Sequence, residues 1–199
     1  MTFFLDFDRT LFDTFRSYQY LSQKLATVAP DFKPFFDEVM LGPEKFNYNN
    51  PQRGDVSRHL ETLFLEKKLI LEKDEYAPFV YPDAQRFLKK YGAQSVVVTA
   101  NRSCPSYQKA KLHASGVFDQ VREVRNIPLN AGNTKGAEIA RALAEYPAPY
   151  VYVDDHDTQL DAVQRECPTI VVYEMRRDGK PASSGRTAIQ SFDEVEVIL

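Results

Sequence analysis

Asp6 and Asp8 stand two residues apart in FLDFDRTLFDT, where an apolar run gives way to polar residues and Thr10 follows. A carboxylate pair at the end of a buried strand can do three things: hold a hard cation through oxygen, attack an electrophile, and exchange a proton. The same letters also spell a strand followed by a polar turn, so DxDxT alone gives both readings equal weight. A second acidic site follows in VYVDDHDTQLDA. Asp154 and Asp155 are adjacent and repel, so they call for a cation or for protons. Asp157 suits the N-cap of a following helix. His156 reads as a bystander, because carboxylate-rich magnesium sites seldom use imidazole.

Two further residues could handle an anion. Thr99 closes the apolar run in VVVTANRS, and its hydroxyl, with the backbone N–H groups of Ala100 and Asn101 in the loop expected to follow, could cradle a phosphate. Lys135 in NTKGAEIARAL falls in the first turn of an expected helix, where the macrodipole disfavours a cation. A lysine placed against that field has a use if an anion lies near. Taken singly, a threonine chosen for strand propensity and a solvated lysine explain both as well.

Chemistry of this kind requires a scaffold that brings distant residues to one edge. Five strand-like runs are present, over 2–7, 94–99, 120–124, 150–153 and 169–173. TFFLDF, SVVVT and TIVVY are continuous rather than alternating, as in strands buried on both faces of a parallel sheet. In PDAQRFLKKYG, Ala84, Phe87, Leu88 and Tyr91 share a helical face, with Asp83 as N-cap and Gly92 just past the end. Ile139, Leu143 and Tyr146 share another. Strand–helix alternation from about residue 83 predicts an α/β fold with a doubly wound parallel sheet. Residues 14–80 break that rhythm. Phe15, Tyr18, Leu21, Leu25 and Val28 recur at helical spacing, as do Leu60, Leu63, Phe64 and Leu71. Between them, LGPEKFNYNNPQRGD reads as loop. A helical insertion is therefore expected between the first strand and the rest of the sheet.

In order and spacing, these four chemical elements resemble the four motifs of the haloacid dehalogenase superfamily, over residues 1–13 and about 80–199. The resemblance implies a Rossmann-like core at 1–13 and 81–199 and a small helical C1 cap at 14–80. It implies Asp6 as nucleophile and Asp8 as general acid/base. Thr99, Ala100, Asn101 and Lys135 would bind phosphate. Mg²⁺ would be held by Asp6, the backbone carbonyl of Asp8, and Asp155, with Asp154 direct or through water. The family usually has glycine where this chain has Arg9. Lys45, Asn47 and Arg53 are candidate substrate contacts from the cap.

The function implied is a Mg²⁺-dependent phosphatase that hydrolyses a small phosphomonoester through an aspartyl-phosphate. A phosphomutase of the same superfamily and a non-catalytic phosphate-binding relative are the alternatives. Asp8 argues against carbon–halogen cleavage, since haloacid dehalogenases proper lack that second aspartate. The expected partner is a small phosphorylated metabolite. A net charge of −3 gives no basic surplus for nucleic acid or an anionic membrane. The N-terminal run has no basic flank and is cut by Asp6, so it does not read as a signal peptide. Cys104 and Cys167 match no metal spacing and read as reduced thiols, which points to the cytoplasm.

Overall fold

The computed structural model describes residues 1–43, 45, 47, 50–101, 103–128, 134–182 and 185–195. Its centre is a six-stranded, wholly parallel sheet in the order β3-β2-β1-β4-β5-β6. The strands are β1 (Thr2–Leu5), β2 (Ser95–Asn101), β3 (Glu123–Pro128), β4 (Tyr150–Asp154), β5 (Val171–Met175) and β6 (Thr187–Ile189). The chain thus starts in the middle of the sheet and builds outward in both directions. That order creates a crevice beyond the carboxyl ends of β1 and its neighbours.

Successive strand residues point to opposite faces, and both faces are buried. Phe3, Leu5, Val97, Val151 and Val153 pack with Ala84, Phe87 and Leu88 of α4 (Pro82–Tyr91) and Leu112 of α5 (Pro105–Ala114). Phe4, Val96, Val98 and Tyr152 pack with Ile139 of α6 (Lys135–Ala142) and Leu160 and Val163 of α7 (Asp157–Glu166). This explains why the strand sequences run apolar without alternation.

The break in rhythm is helical. It contains α1 (Thr14–Val28), α2 (Lys33–Leu41) and α3 (Gln52–Leu65). They form a core of their own around Leu21, Leu25, Phe36, Val39, Val56, Leu60 and Leu63, which Tyr107 of α5 joins. The chain leaves and re-enters the sheet region through a neck of paired backbone. Phe12 bridges Val80, Asp13 N–H donates to Phe79 O at 2.7 Å, and Tyr81 N–H donates to Leu11 O at 3.0 Å.

Several boundaries differ from the sequence reading. β3 begins three residues late, because Gln120–Arg122 turn into the strand rather than pairing. β2 runs on through Ala100 and Asn101, since β3 pairs with both, so these two are strand rather than loop. α2 and β6 are additional elements. Leu41 and residues 52–55 are helical, and Leu71 lies beyond the end of α3. Residues 44, 46, 48 and 49 of that expected loop, and Arg102 and Asn133, lie outside the described residues. Tyr81, not Asp83, caps α4, because Pro82 takes the first helical position. His156, not Asp157, precedes α7 as its N-cap residue. Gly92 is not left-handed. It is needed because a Cβ there would lie 2.0 Å from Gln120 O.

Candidate active site

Asp6 follows the last residue of β1, and its N–H donates to Val153 O at 2.9 Å, which ties it to the end of β4. Asp154 is the last residue of β4 and Asp155 the next. Because β1 and β4 are parallel neighbours, oxygens of Asp6, Asp154 and Asp155 come within 4.8 Å of one another. Lys135, the first residue of α6, enters from the side. Its Nζ contacts Asp6 Oδ1 and lies 2.7 Å from Asp154 Oδ2. Thr134 caps this helix by accepting from Ala137 N–H at 3.0 Å. Gly136 lets it sit close, since a Cβ there would lie 2.9 Å from Ala162 O of α7. The cation in the first turn, awkward for the helix dipole, faces two carboxylates.

Asp154 and Asp155 are placed differently. Asp154 is fully buried and accepts from Lys135, the Tyr152 hydroxyl and His156 N–H, the last at 2.8 Å. Asp155 Oδ2 is buried and accepts no hydrogen bond, although Arg9 Nη1 lies 2.9 Å away as an ion-pair partner. A buried carboxylate oxygen without a hydrogen bond, beside two more carboxylates, suits a cation with oxygen ligands. Burial raises the Asp155 carboxyl to about 7; Arg9 and Lys135 pull it down, while Asp154 and Asp8 push it up. Burial likewise holds Asp6 well above the usual carboxylate range, against the pull of Lys135 and with a push from Asp154 and Asp155. Lys135 is buried too, yet the two carboxylates hold its ammonium more firmly charged than usual.

Asp8 stands apart from this group. The chain turns sharply after it: Leu11 and Phe12 N–H both donate to Phe7 O, and Arg9 takes φ 64°. That left-handed conformation suits glycine, the residue usual in the resembling motif. Asp8 Oδ1 accepts from the Thr14 hydroxyl at 2.6 Å and contacts Lys111 Nζ. Asp8 Oδ2 accepts from Gln108 Nε2 at 2.9 Å. Gln108 Nε2 also donates to Thr99 Oγ1 at 3.0 Å, which links the second carboxylate to β2. Burial raises the Asp8 carboxyl, but the charge of Lys111 and the three donors outweigh it, so the group is held below its ordinary value.

The remaining expected residues are placed as follows. Asn101 lies on the edge side of β2, where its Nδ2 donates to Asn126 Oδ1 at 2.5 Å. Ala100 is half-buried beside it. Lys45 Nζ lies 4.1 Å from the Phe15 ring centroid, and Arg53 Nη1 donates to Lys45 O at 2.6 Å. Asn47 is exposed. Tyr18 joins the two regions: its phenol is raised by burial first, then by the Asp8 carboxylate, and eased by Arg53. His156 is outside the carboxylate group, and burial lowers its imidazole. Both cysteines are free, and burial pushes the Cys104 thiol up to about 11, away from thiolate chemistry.

Lys111, Gln108, Thr14, Tyr152 and Glu61 were not anticipated from the sequence. The legible signal lay in PSYQKAKLHA, where Gln108 and Lys111 interrupt the inward stripe of Tyr107, Leu112 and Ala114. Glu61 of α3 accepts from Ser106 N–H at 3.0 Å and Tyr107 N–H at 2.9 Å, capping α5 from across the chain.

The sheet order, the helical segment between β1 and β2, and the carboxylate-lined edge define a haloacid dehalogenase-like α/β fold. The sequence matches no family model and no curated protein. Among solved structures, the chain is similar to a haloacid dehalogenase-like hydrolase of Burkholderia xenovorans LB400, with a TM-score of 0.62 and 19% identity over 96% of this chain and 92% of that one. It is also similar to the HAD-hydrolase YfnB of Bacillus subtilis, solved bound to magnesium, with a TM-score of 0.58 and 16% identity over 97% and 95%. The L-2-haloacid dehalogenase of Xanthobacter autotrophicus gives a TM-score of 0.53 and 15% identity over 88% and 77%. At such identities the likeness establishes the fold.

Proposed function

We propose that this protein is a Mg²⁺-dependent phosphatase that hydrolyses a small phosphomonoester through an aspartyl-phosphate on Asp6. The observation that carries the reading is the separation of the carboxylates into two sets. Asp6, Asp154 and Asp155 gather within 4.8 Å, while Asp8 is held on its own donors two residues from Asp6. A halide leaves as a stable anion and needs neither a proton nor a carboxylate-bound cation. An alkoxide leaving from phosphorus benefits from both.

In this reading Asp6, Asp155 and the backbone carbonyl of Asp8 would hold the Mg²⁺, and Asp154, already engaged by three donors, would contribute directly or through water. A cation held there would neutralise the clustered charge and supply Lewis-acid polarisation of a phosphoryl oxygen. Asp6 attacks phosphorus and the ester P–O bond breaks. Asp8 gives a proton to the leaving oxygen, then takes one from the water that cleaves the acyl phosphate. Lys135 and Thr99 steady charge on the transferring group. The helices of residues 14–80 act as a cap that limits water and substrate size. The donors around Asp8 favour its ionised form, which serves the second step best. Aryl and acyl phosphates, whose leaving groups need little protonation, should therefore turn over fastest.

The test is phosphate release from a panel of phosphorylated metabolites with Mg²⁺, with and without chelator, followed by rapid-quench mapping of phosphate on the protein. Activity should need the cation, and phosphate should map to Asp6. Asp6→Asn should abolish both turnover and the covalent phosphate. Full turnover in verified absence of metal, or phosphate on another residue, would overturn the proposal.

A further inference from the structure

Lys111 is an expensive residue in its position. Its side chain is 3% exposed, and its ammonium lies 5.2 and 5.0 Å from the ring centroids of Phe7 and Phe12. A methionine would fill such a site without the cost of desolvating a charge. The counter-charge it meets is Asp8 Oδ1. Gln108, one helical turn before it on α5, is also buried and reaches the other oxygen of the same carboxylate while touching Thr99. The Thr14 hydroxyl donates to Oδ1 and in turn accepts from Arg9 N–H at 3.1 Å. Both oxygens of Asp8 are thereby held from two helices, and the carboxylate has one orientation.

We infer that Lys111 and Gln108 are positioning residues for the reaction: α5 clamps Asp8, Lys111 by its charge and Gln108 by bridging it to Thr99, so that the acid/base carboxylate and the phosphate-binding hydroxyl keep a fixed spacing. The inference rests on the phosphatase reading for the role of Asp8. The clamp itself rests on the contacts.

The experiment has two arms. In the first, Lys111→Met, Asp8→Asn and the double variant are unfolded in urea. Asp8→Asn leaves the buried Lys111 ammonium unpaired, and Lys111→Met takes the counter-charge from an Asp8 carboxylate that still accepts from Thr14 and Gln108; each should lower the midpoint, the first by more, and the double variant should fall by clearly less than the sum. In the second, kcat, KM and phospho-enzyme lifetime are measured with an aryl phosphate. Lys111→Met should lower kcat by about 100-fold, the scale of a small misplacement of a reacting group, with KM much less affected and the phospho-enzyme longer-lived. Lys111→Arg should recover most of kcat. Gln108→Leu, which removes no charge, should show the same kcat-weighted loss should Lys111→Met fail to fold. Unchanged kcat in both Lys111→Met and Gln108→Leu, or a loss confined to KM, overturns the positioning role. If the wild type neither turns over nor traps phosphate, the phosphatase reading fails, and the clamp is judged by the first arm alone, where additive midpoints overturn it.

Discussion

Asp6 and Asp155 hold protons in the fold more tightly than a free carboxyl does, because burial disfavours two negative charges beside Asp154. A cation binding there must displace those protons. Its affinity should therefore rise with pH up to and just above about 7, the value to which Asp155 is raised. Calorimetric titration with Mg²⁺ at pH 6 and 8, in buffers of different ionisation enthalpy, would read both the affinity and the proton release. Equal affinity at the two values would contradict the assignment. The linkage to stability has the same origin. A carboxyl raised in the fold favours folding at low pH, and its contribution declines as pH climbs from the unfolded value near 4 towards about 7. Asp8, lowered in the fold, contributes the other way, with stability lost as pH falls through the acid range. Lys135 keeps its contribution until far into the alkaline range. Between pH 5 and 7 the two raised carboxyls lower stability as pH rises, opposed in part by the lowered His156 imidazole. Stability should fall over that interval in chelator and fall less in Mg²⁺, as thermal denaturation would report.

Among the elements, α6 and α5 carry most of the positioning. α6 delivers Lys135 because Gly136 allows it to touch α7. Gly136→Ala should push the helices apart, costing roughly 1–3 kcal/mol as an overpacked contact does. It should also weaken turnover more than an equally destabilising change elsewhere. α5 has no side-chain cap from its own N-cap residue Cys104, and Glu61 supplies one from α3. Glu61→Ala should cost about 1 kcal/mol, the usual worth of a lost cap, read as a shift in denaturation midpoint. The strands that hold Asp6, Thr99 and Asp154 were legible because both faces of a central parallel strand must be apolar, and TFFL and SVVV say so directly. β3 starts three residues later than its sequence suggests because it is an edge strand. It carries Glu123 and Arg125, which pair with each other, and Arg125 also reaches Glu138 and Glu145 of neighbouring elements. β6 has three residues and little apolar surface, and α2 has only nine, too few for a periodic signal to stand out. Asp6, Asp154, Asp155 and Lys135 come together, while Asp8 and Thr99, expected with them, are joined to each other through Gln108. The partners of Asp8 did not show in the sequence, because Gln108 and Lys111 carry no spacing that distinguishes them from surface residues until α5 is seen to pack inward.

For the molecule as a whole, two bodies of packing meet around Asp8. Thr14 opens α1, Tyr107 sits in the core of α1–α3, and Tyr18 is within reach of the charges of Asp8 and Arg53. The cap role proposed for these helices predicts selectivity by size. Small phosphomonoesters should be hydrolysed, and a folded phosphoprotein or a 5′-phosphorylated oligonucleotide should not, in the same phosphate-release assay. Among the described residues, no helix is long and apolar enough to cross a membrane. The neck of paired backbone at Phe12 and Val80 has a consequence for inheritance. Chain that departs and returns at one point can be lengthened, shortened or rewritten between those ends without altering the register of any strand. On the phosphatase proposal, the outer surface of this segment can vary while Asp6, Asp154 and Asp155 keep their places on the sheet. Tolerance to substitution should be uneven in a particular way: high over the outer faces of residues 14–75, and abruptly low at 11–13 and 79–81, where a single change is felt on both sides of the join.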